Sequence, residues 1–215
     1  GVYDDAYNKA IELRDKEGYT FIHPFNDPDV IAGQGTIGLE ILRQLPDVDV
    51  VVVPIGGGGL ISGVAYTIKQ LKPSCKVYGV QAQGAPSMEH SVTDGKIETL
   101  NAVNTIADGI AVKTPGDLTF ELCQKYVDGI VTVSDDEIAL AILTLLEQQK
   151  LIAEGAGAVP VAAVMNGKIP EIDGKKVCCV VSGGNIDVTI LSRVIERGLK
   201  MGGRTADIVI SLSDR

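Results

Sequence analysis

A run of β-branched residues that ends in a row of glycines constrains this chain more than any other stretch of its sequence. The segment VVVVPI, residues 50–55, carries no charge. Such a continuous apolar run is typical of a strand that is buried on both faces of a parallel sheet. Gly56–Gly59 follow directly, and the chain resumes as LISGVAYTIKQL, whose apolar residues recur at helical spacing. The sequence therefore predicts a buried strand, a glycine loop and a helix in succession.

Strands and helices are predicted to alternate along the rest of the chain. The predicted strands are YTFIHPF, VDVVVVPI, KVYGVQA, GIVTVS and KKVCCVV. The predicted helices are DAYNKAIELRDKEG, TIGLEILRQL, LISGVAYTIKQL, SDDEIALAILTLLEQQK, GAGAVPVAAVMNG and DVTILSRVIERGLKMGG. Ser134 and Glu137 have the spacing of a capping box at a helix start. The alternation indicates an α/β fold with a doubly wound, mostly parallel sheet and right-handed crossovers.

The composition excludes several function classes. The 215 residues are 45% hydrophobic and 22% charged, as expected of an ordered globular protein. A net charge of −9 argues against nucleic acid or an anionic membrane as the main partner. A membrane span over Val50–Ile68 is excluded because Pro54 and Gly56–Gly59 would break the helix within the bilayer.

The cysteines and the first residues indicate a cytoplasmic protein. Cys75, Cys123, Cys178 and Cys179 form no C-x-x-C motif, and we interpret them as small buried side chains in a reducing compartment. Cys178 and Cys179 are adjacent in a predicted strand and should point to opposite faces of the sheet. Residues 1–10 show no signal-peptide pattern.

Gly56–Gly59 are predicted to bind a phosphate group. Ligands of open parallel sheets bind at the carboxyl ends of the strands, where this loop lies. Glycines let successive N–H groups point at one anion, and the N-terminus of the following helix favours negative charge. A Walker A loop is excluded because Val64 stands where that motif needs lysine. The alternative, a flexible loop without a ligand, would lose conformational entropy on folding without compensation.

The segment GQGTIG, residues 33–38, matches the G-x-G-x-x-G dinucleotide pattern but lacks its context. The strand before it is at best VIA, and no acidic residue for a ribose lies about 20 residues further on. We interpret Gly33, Gly35 and Gly38 as the start of a tightly packed helix and not as an NAD site.

Three further loops are expected at the same edge of the sheet. In VVSGGNID, the Ser182 hydroxyl could meet a ring nitrogen, although turn formation or helix capping explains Ser182 and Asn185 equally well. TIADGIAV places Asp108 and Gly109 in a loop. IAEGAGAV places Glu154 before a helix, where an acid often only complements the helix dipole. With the glycine loop, these segments indicate one binding site.

Five motifs, in this order and at this spacing, resemble the serine/threonine dehydratase family, whose members are pyridoxal-phosphate (PLP) enzymes of fold type II. The motifs are DPDVIAGQGTIGLEI, PIGGGGLISG, TIADGIAV, AEGAGAV and VSGGNID. Within the family the sequence is most similar to catabolic threonine dehydratases (threonine ammonia-lyases), with serine racemase as a near relative. The resemblance covers nearly the whole chain and implies a fold like that of the tryptophan synthase β subunit.

The resemblance also implies roles for individual residues. The PLP phosphate would be bound by Gly56, Gly57, Gly58 and Gly59, with Leu60 completing the loop. Ser182 would hydrogen-bond the pyridine nitrogen, Gly109 would lie near the 3′-oxygen, and Glu154 would be a catalytic acid close to the ring. A neutral hydroxyl at the ring nitrogen makes the ring a weaker electron sink, which favours α,β-elimination.

The implied activity is deamination of L-threonine or L-serine to 2-oxobutanoate or pyruvate and ammonia, as in isoleucine biosynthesis. The enzyme would be a homo-oligomer, a dimer or tetramer, with AMP as a candidate effector. Two alternatives stay open. One is serine racemase or another fold type II PLP enzyme, and the other is a non-catalytic, nucleotide-regulated binding module.

The chain is expected to be the C-terminal portion of a longer polypeptide. In the resembling family, the Schiff-base lysine and a Ser-Asn loop for the substrate carboxylate belong to an N-terminal part that this sequence lacks, so the chain alone should be inactive. Residues 1–25 would end a small domain, residues 26–202 would form the large PLP-binding domain, and residues 203–215 would begin an ACT-type regulatory domain. The last residues include DIVISL, which alternates like a new strand.

No metal site is expected. The positions that carry carboxylates in metal-binding relatives are Gln81 and Ser87 here, and neither offers the anionic oxygen that Mg²⁺ prefers. His23 and His90 are isolated, which argues against zinc.

Overall fold

The described residues form a four-stranded parallel sheet at the centre of the molecule. The computed structural model describes residues 3–206 together with residues 208 and 210. The strands are β1 (Val50–Pro54), β2 (Lys76–Ala82), β3 (Gly129–Val133) and β4 (Val177–Cys179). Their order is β3-β2-β1-β4, and every pairing is parallel. All of β1 is buried, which confirms the predicted strand with two covered faces.

Helices cover both faces of the sheet. In the described part of the chain they are α1 (Tyr3–Glu17), α2 (Pro28–Gln44), α3 (Gly59–Leu71), α4 (Ser87–Asp94), α5 (Asp117–Tyr126), α6 (Asp135–Thr144), α7 (Gly155–Met165) and α8 (Val188–Met201). A 3₁₀ turn spans Asp108–Ile110, and a π-helical turn spans Leu145–Gln149. This arrangement confirms the predicted doubly wound α/β fold.

The side chains of β1 alternate between two hydrophobic cores. Val51 and Val53 pack with residues of α2, α3 and α5. Val50 and Val52 pack with residues of α6, α7 and α8. The adjacent cysteines of β4 divide in the same way, with Cys178 against the first core and Cys179 against the second. Because successive side chains of a strand point to opposite faces, one strand anchors both helix layers.

The predicted strand YTFIHPF is wrong, because residues 19–25 form no strand. The aromatic rings of this segment pack edge to face instead, with ring centroids of His23 and Phe25 4.6 Å apart. Nδ1 of His23 accepts hydrogen bonds from the N–H groups of Phe25 (3.3 Å) and Asn26 (2.9 Å), and Pro24 has no N–H to donate to a neighbouring strand. Side-chain contacts therefore override the β propensity of the aromatic residues.

Helix α2 begins well before the predicted TIGLEILRQL. Asp27 caps it by accepting hydrogen bonds from the N–H groups of Asp29 (2.8 Å) and Val30 (3.2 Å), and Pro28 is its first residue. An Asp-Pro pair is a helix-start signal that the sequence does contain. The spacing of apolar residues does not predict α4 or α5, because both helices are short and α4 is mostly polar.

The glycines of GQGTIG lie inside α2 and serve helix packing. A Cβ on Gly35 would lie 2.8 Å from Oγ1 of Thr67 in α3, and one on Gly38 would lie 3.0 Å from Cβ of the same threonine. A Cβ on Gly33 would meet nothing within 4 Å. Tight packing is thus confirmed for Gly35 and Gly38, although α2 starts at Pro28 and not at the glycines.

The capping box at the start of α6 is confirmed. The N–H of Ser134 donates to Glu137 Oε2 (2.7 Å), and the N–H of Glu137 donates to Ser134 Oγ (3.3 Å). Within the described residues, no helix has both the length and the apolar character that a membrane crossing requires. The predicted strand DIVISL falls largely outside the described residues.

Candidate functional site

The loops after β1 and β4 meet at the switch point of the sheet. β2 and β3 follow β1 on one side, whereas β4 returns to the other side of β1. Open α/β sheets bind ligands at the carboxyl ends of the strands where the strand order reverses in this way. Gly56–Gly59 follow β1, and Ser182–Asn185 follow β4. Topology therefore brings together two segments that are more than a hundred residues apart.

The N–H groups of the glycine loop lack acceptors within the protein. Gly58 has a φ of +99° and caps α3 without a side-chain hydrogen bond. Among the described residues, no carbonyl or side chain accepts a hydrogen bond from the N–H groups of residues 56–60. Gly57, Gly58 and Gly59 are nonetheless buried. Because buried N–H groups almost always have partners, the acceptors for this loop must come from water or from a bound ligand.

The same glycines lie where any side chain would collide with a neighbour. A Cβ on Gly57 would lie 2.5 Å from ring carbons of Phe25, and a Cβ on Gly59 would lie 2.8 Å from Phe25 Cα. A Cβ on Gly58 would lie 2.8 Å from Thr119 Cβ. Close approach of neighbouring chain segments is thus a second reason for glycine here, beside the exposure of N–H groups to an anion.

The four predicted loops form one continuous surface. A Cβ on Gly56 would lie 3.5 Å from the carbonyl oxygen of Gly109. A Cβ on Gly109 would in turn lie 3.5 Å from Oε1 of Glu154, and a Cβ on Gly183 would lie 2.7 Å from Cδ of Glu154. Each loop therefore touches the next, and the Glu154 carboxylate lies between two of them.

Glu154 bridges two loops and does not cap its own helix. It is the N-cap residue of α7, but its side chain makes no capping hydrogen bond. Its N–H donates to the carbonyl of Gly183 (3.1 Å). Burial raises the pKa of the Glu154 carboxyl, and the negative charge of Asp108 raises it further, while the N–H of Asn185 opposes the change. If Glu154 only complemented the dipole of α7, its contacts with the loops of Gly109 and Gly183 would have no explanation.

Ser182 presents an uncommitted hydroxyl at this edge. The residue is exposed, and in the described part of the chain its hydroxyl has no hydrogen-bond partner. The cap of α8 is Asp187, whose side chain accepts from the N–H of Thr189 (2.8 Å). The interpretation of Ser182 as a helix cap is therefore wrong, and its hydroxyl remains available to a ligand.

The sequence gives no sign that Phe25 and Thr119 contact the glycine loop. Phe25 belongs to the segment that the sequence predicts as a strand, and Thr119 lies in a helix that the pattern does not reveal. Oγ1 of Thr119 donates a hydrogen bond to the carbonyl of Gly57 (2.6 Å). Neither residue carries a motif, so only tertiary structure associates them with the loop.

A model of the pyridoxal-phosphate dependent enzyme family matches residues 1–183. The chain belongs to this family. The resemblance read from the five motifs is thus confirmed, together with the PLP fold type II architecture and the cofactor that the family uses.

Similar proteins extend well beyond this chain. The L-threonine ammonia-lyase of Thermotoga maritima is 58% identical over 214 residues, which cover 100% of this chain and 53% of the relative. The processed form of threonine deaminase isoform 2 from Solanum lycopersicum has a TM-score of 0.85 at 42% identity, covering 91% of this chain and 54% of that one. Maize serine racemase has a TM-score of 0.83 at 35% identity, and the match covers 94% of this chain and 63% of the racemase chain. The chain therefore spans about half the length of the curated relatives it matches.

The residues of this PLP-family chain are suited to a phosphate monoester. The N–H groups of residues 56–60 have no acceptor among the described residues, and a Cβ on Gly57 or Gly59 would collide with Phe25. The first turn of α3 carries no acidic side chain that would repel an anion. Beside the loop, a cleft of about 680 Å³ is lined by residues that include Phe25, Asp108 and Val112.

The positions considered for a metal are occupied by hydrogen-bonded neutral side chains. Oε1 of Gln81 accepts from the N–H of Glu89 (2.8 Å), and Oγ of Ser87 donates to the carbonyl of Val112 (2.8 Å). Across the described residues, no group of three or more His, Cys, Asp or Glu side chains could hold a metal ion.

Proposed function

We propose that this chain supplies the phosphate-binding and ring-binding half of an enzyme that deaminates L-threonine or L-serine by α,β-elimination. The α-hydrogen and the β-hydroxyl leave the amino acid, and the resulting enamine tautomerises and hydrolyses to a 2-oxo acid and ammonia. PLP, when bound, supplies the electron sink for this elimination. The names of the Thermotoga maritima and Solanum lycopersicum proteins support this activity.

The observation that carries the proposal is the row of acceptor-free N–H groups at the N-terminus of α3. Three of the glycines in this row are buried, so an anionic acceptor there replaces unfavourable desolvation with charge-assisted hydrogen bonds. The partial positive charge of the helix N-terminus adds to this preference. We assign Gly56–Gly59 and Leu60 to the cofactor phosphate.

The remaining residues of the edge are assigned to the cofactor ring. Ser182 offers a neutral hydroxyl to the ring nitrogen, and a hydroxyl does not hold that nitrogen protonated as a carboxylate would. Gly109 has no side chain and leaves space beside the 3′-oxygen. Glu154 has a raised pKa, so its carboxyl is better able to hold a proton near the reacting groups than an exposed glutamate.

The complete protein is proposed to contain the Schiff-base lysine in a part of the polypeptide that this chain does not span. Exposed apolar side chains surround the loop after β4, with Leu151 50%, Ile152 54% and Val181 38% exposed. An apolar rim beside a binding site supports its coverage by another part of the protein. On this proposal residues 1–25 finish a small domain, residues 26–202 form the large domain, and residues 203–215 begin a regulatory domain.

The test uses the complete polypeptide with PLP and compares Ser182→Ala with Ser182→Asp. We expect wild type to release ammonia from L-threonine or L-serine. Ser182→Asp should shift the cofactor absorbance, because a carboxylate favours the protonated ring nitrogen, and should lower turnover. Ser182→Ala should leave the ring nitrogen without a partner and weaken cofactor binding.

Ser74→Asp is the matched control, since Ser74 is also exposed but precedes β2 at the opposite end of the sheet. It should change neither absorbance nor turnover. If Ser182→Asp behaves like Ser74→Asp, the ring assignment is wrong. If wild type releases no ammonia from either amino acid, the deaminase proposal itself is wrong.

Serine racemisation is the second candidate, supported by the structural similarity to maize serine racemase. The ratio of D-serine to ammonia formed from L-serine separates the two activities. A homo-oligomer with a nucleotide effector such as AMP is proposed from the family resemblance alone. Light scattering and equilibrium binding of AMP to the complete protein test these two points.

A further inference from the structure

The glycine loop can bind an anion only if its peptide units are held in one orientation. Four successive glycines have no side chains of their own to restrict φ and ψ, so a free loop would sample many arrangements. Gly58 adopts a φ of +99°, which only contacts from outside the loop can select. Those contacts come from α3, from α5 and from the segment that contains Phe25.

Thr119 of α5 fixes the peptide unit between Gly57 and Gly58. Its Oγ1 lies 2.6 Å from the Gly57 carbonyl oxygen and 3.2 Å from the Gly116 carbonyl oxygen. A hydroxyl has one proton, and the shorter distance identifies Gly57 as its acceptor. Thr119 is fully buried, so bulk solvent does not compete with the Gly57 carbonyl for its hydroxyl.

The orientation of the Gly57 carbonyl sets the direction of the next N–H group. The peptide bonds here are trans, and in a trans unit the carbonyl and the following N–H point in opposite directions. Because the Gly57 carbonyl points toward α5, the N–H of Gly58 points away from it. The Gly58 carbonyl accepts from the N–H of Ser62 (3.0 Å) along α3, which directs the N–H of Gly59 out of the helix N-terminus.

Helix α5 is itself fastened to the segment that covers the other side of the loop. Asn26 donates through Nδ2 to Asp117 Oδ1 (2.6 Å) and accepts at Oδ1 from the N–H of Leu118 (3.1 Å). The preceding Phe25 packs its ring against Gly57. The start of α5 and the Phe25 segment therefore hold the loop from two sides as one hydrogen-bonded unit.

We propose that Thr119 is a positioning residue for the phosphate site, acting through its hydrogen bond to the Gly57 carbonyl. It touches neither cofactor nor substrate but orients the N–H groups that do. This inference rests on the proposed phosphate-binding function of Gly56–Leu60. Loss of the Thr119 hydroxyl should therefore affect recognition of the phosphate and leave recognition of the ring unchanged.

The test compares two ligands on the apo form of the complete polypeptide, namely PLP and pyridoxal, which lacks the phosphate. Thr119→Val keeps the side-chain shape and removes the donor. We expect about 10- to 100-fold weaker binding of PLP, as for the loss of a hydrogen bond to a charged group, with little change for pyridoxal. The ³¹P chemical shift of bound PLP should move in Thr119→Val and return in Thr119→Ser, which restores the donor.

Thr144→Val is the matched control, because Thr144 Oγ1 also donates to a backbone carbonyl, that of Leu140 (2.8 Å), but in α6 on the other face of the sheet. It should alter neither affinity nor the ³¹P shift. If Thr119→Val fails to fold, Thr119→Cys replaces it, because the thiol has a similar size but is a weaker donor, and Thr119→Ser stays the variant that keeps the donor.

The outcomes separate the two proposals. If wild type binds PLP and pyridoxal equally, the phosphate site itself is wrong. If wild type prefers PLP and Thr119→Val, or Thr119→Cys in its place, keeps the whole of that preference, only the positioning role is overturned. If Thr119→Val weakens both ligands equally, Thr119 acts on general stability and the positioning role is likewise wrong.

Discussion

Replacing glycine by alanine at two helical positions should have opposite effects on stability. Gly33 lies on the exposed side of α2, where a Cβ meets nothing within 4 Å. Gly63 lies inside α3, where a Cβ would lie 2.6 Å from the amide nitrogen of Gly35 and 2.9 Å from the carbonyl carbon of Gln34. Both are helix-interior glycines, so the intrinsic gain in helix propensity is the same, about 1 kcal/mol.

The contacts decide the sign of the change in the free energy of unfolding. At Gly33 nothing opposes the gain, and Gly33→Ala should stabilise the protein by about 1 kcal/mol. At Gly63 the new methyl group would stand about 1 Å inside the optimal separation from backbone atoms of α2. Backbone cannot change rotamer, so the cost lies near the upper end of overpacking, about 3 kcal/mol. After subtraction of the propensity gain, Gly63→Ala should destabilise by about 2 kcal/mol.

Urea denaturation followed by circular dichroism measures both effects. The two variants should differ by about 3 kcal/mol in unfolding free energy, with similar m-values. If Gly63→Ala stabilises the protein as much as Gly33→Ala does, α2 and α3 do not pack as described. Such a result would also remove the packing explanation for GQGTIG, since Gly35 lies directly opposite Gly63.

Three further outcomes are expected. Ser134→Ala removes one half of the α6 capping box and should lower the unfolding free energy by about 1 kcal/mol, whereas Ser74→Ala, at an exposed position outside any helix, should have almost no effect in the same urea assay. The raised pKa of Glu154 means that its ionisation disfavours the folded state. The unfolding free energy of Glu154→Gln should therefore rise relative to that of wild type as pH rises from 4 to 7. A constant difference between the two free energies across that range would contradict the raised pKa of Glu154. Burial raises the pKa of the Cys123 thiol to about 12, so iodoacetamide at pH 8 should label Cys123 only after unfolding, as mass spectrometry of the labelled peptide would reveal; rapid labelling of native protein would show that this core is open.

Local sequence patterns predict the central part of the fold well. The β1 run has no polar face, and a strand of that kind is stable only between two helix layers. The capping box at Ser134 and the boundaries of β2 depend on neighbouring residues alone. Patterns fail in the segment YTFIHPF, where Phe21, Ile22 and Phe25 have high β propensity. The Phe25 ring packs instead against His23 and against the distant glycine loop.

The candidate site divides along the same line. The sequence predicts Gly56–Gly59, Gly109, Glu154 and Ser182 as site residues because each of them lies in a recognisable motif at a strand end or helix start. Thr119 lies in no such motif, since its one relevant property is a 2.6 Å hydrogen bond to Gly57 across the fold. The alternatives left open for Ser182 could be reduced only once Asp187 was found to cap α8.

By itself, the amino-acid sequence of this protein determined the α/β class, the four strands of the sheet and most of the helices packed on them, and the glycines that follow β1. Those features follow from interactions between residues a few positions apart. Only the tertiary structure decided that β4 returns beside β1, that four loops meet at one edge, and that Phe25 and Thr119 hold the glycine loop. These contacts join residues far apart in the chain, and their energies arise from packing and hydrogen bonds that exist only after the chain has folded.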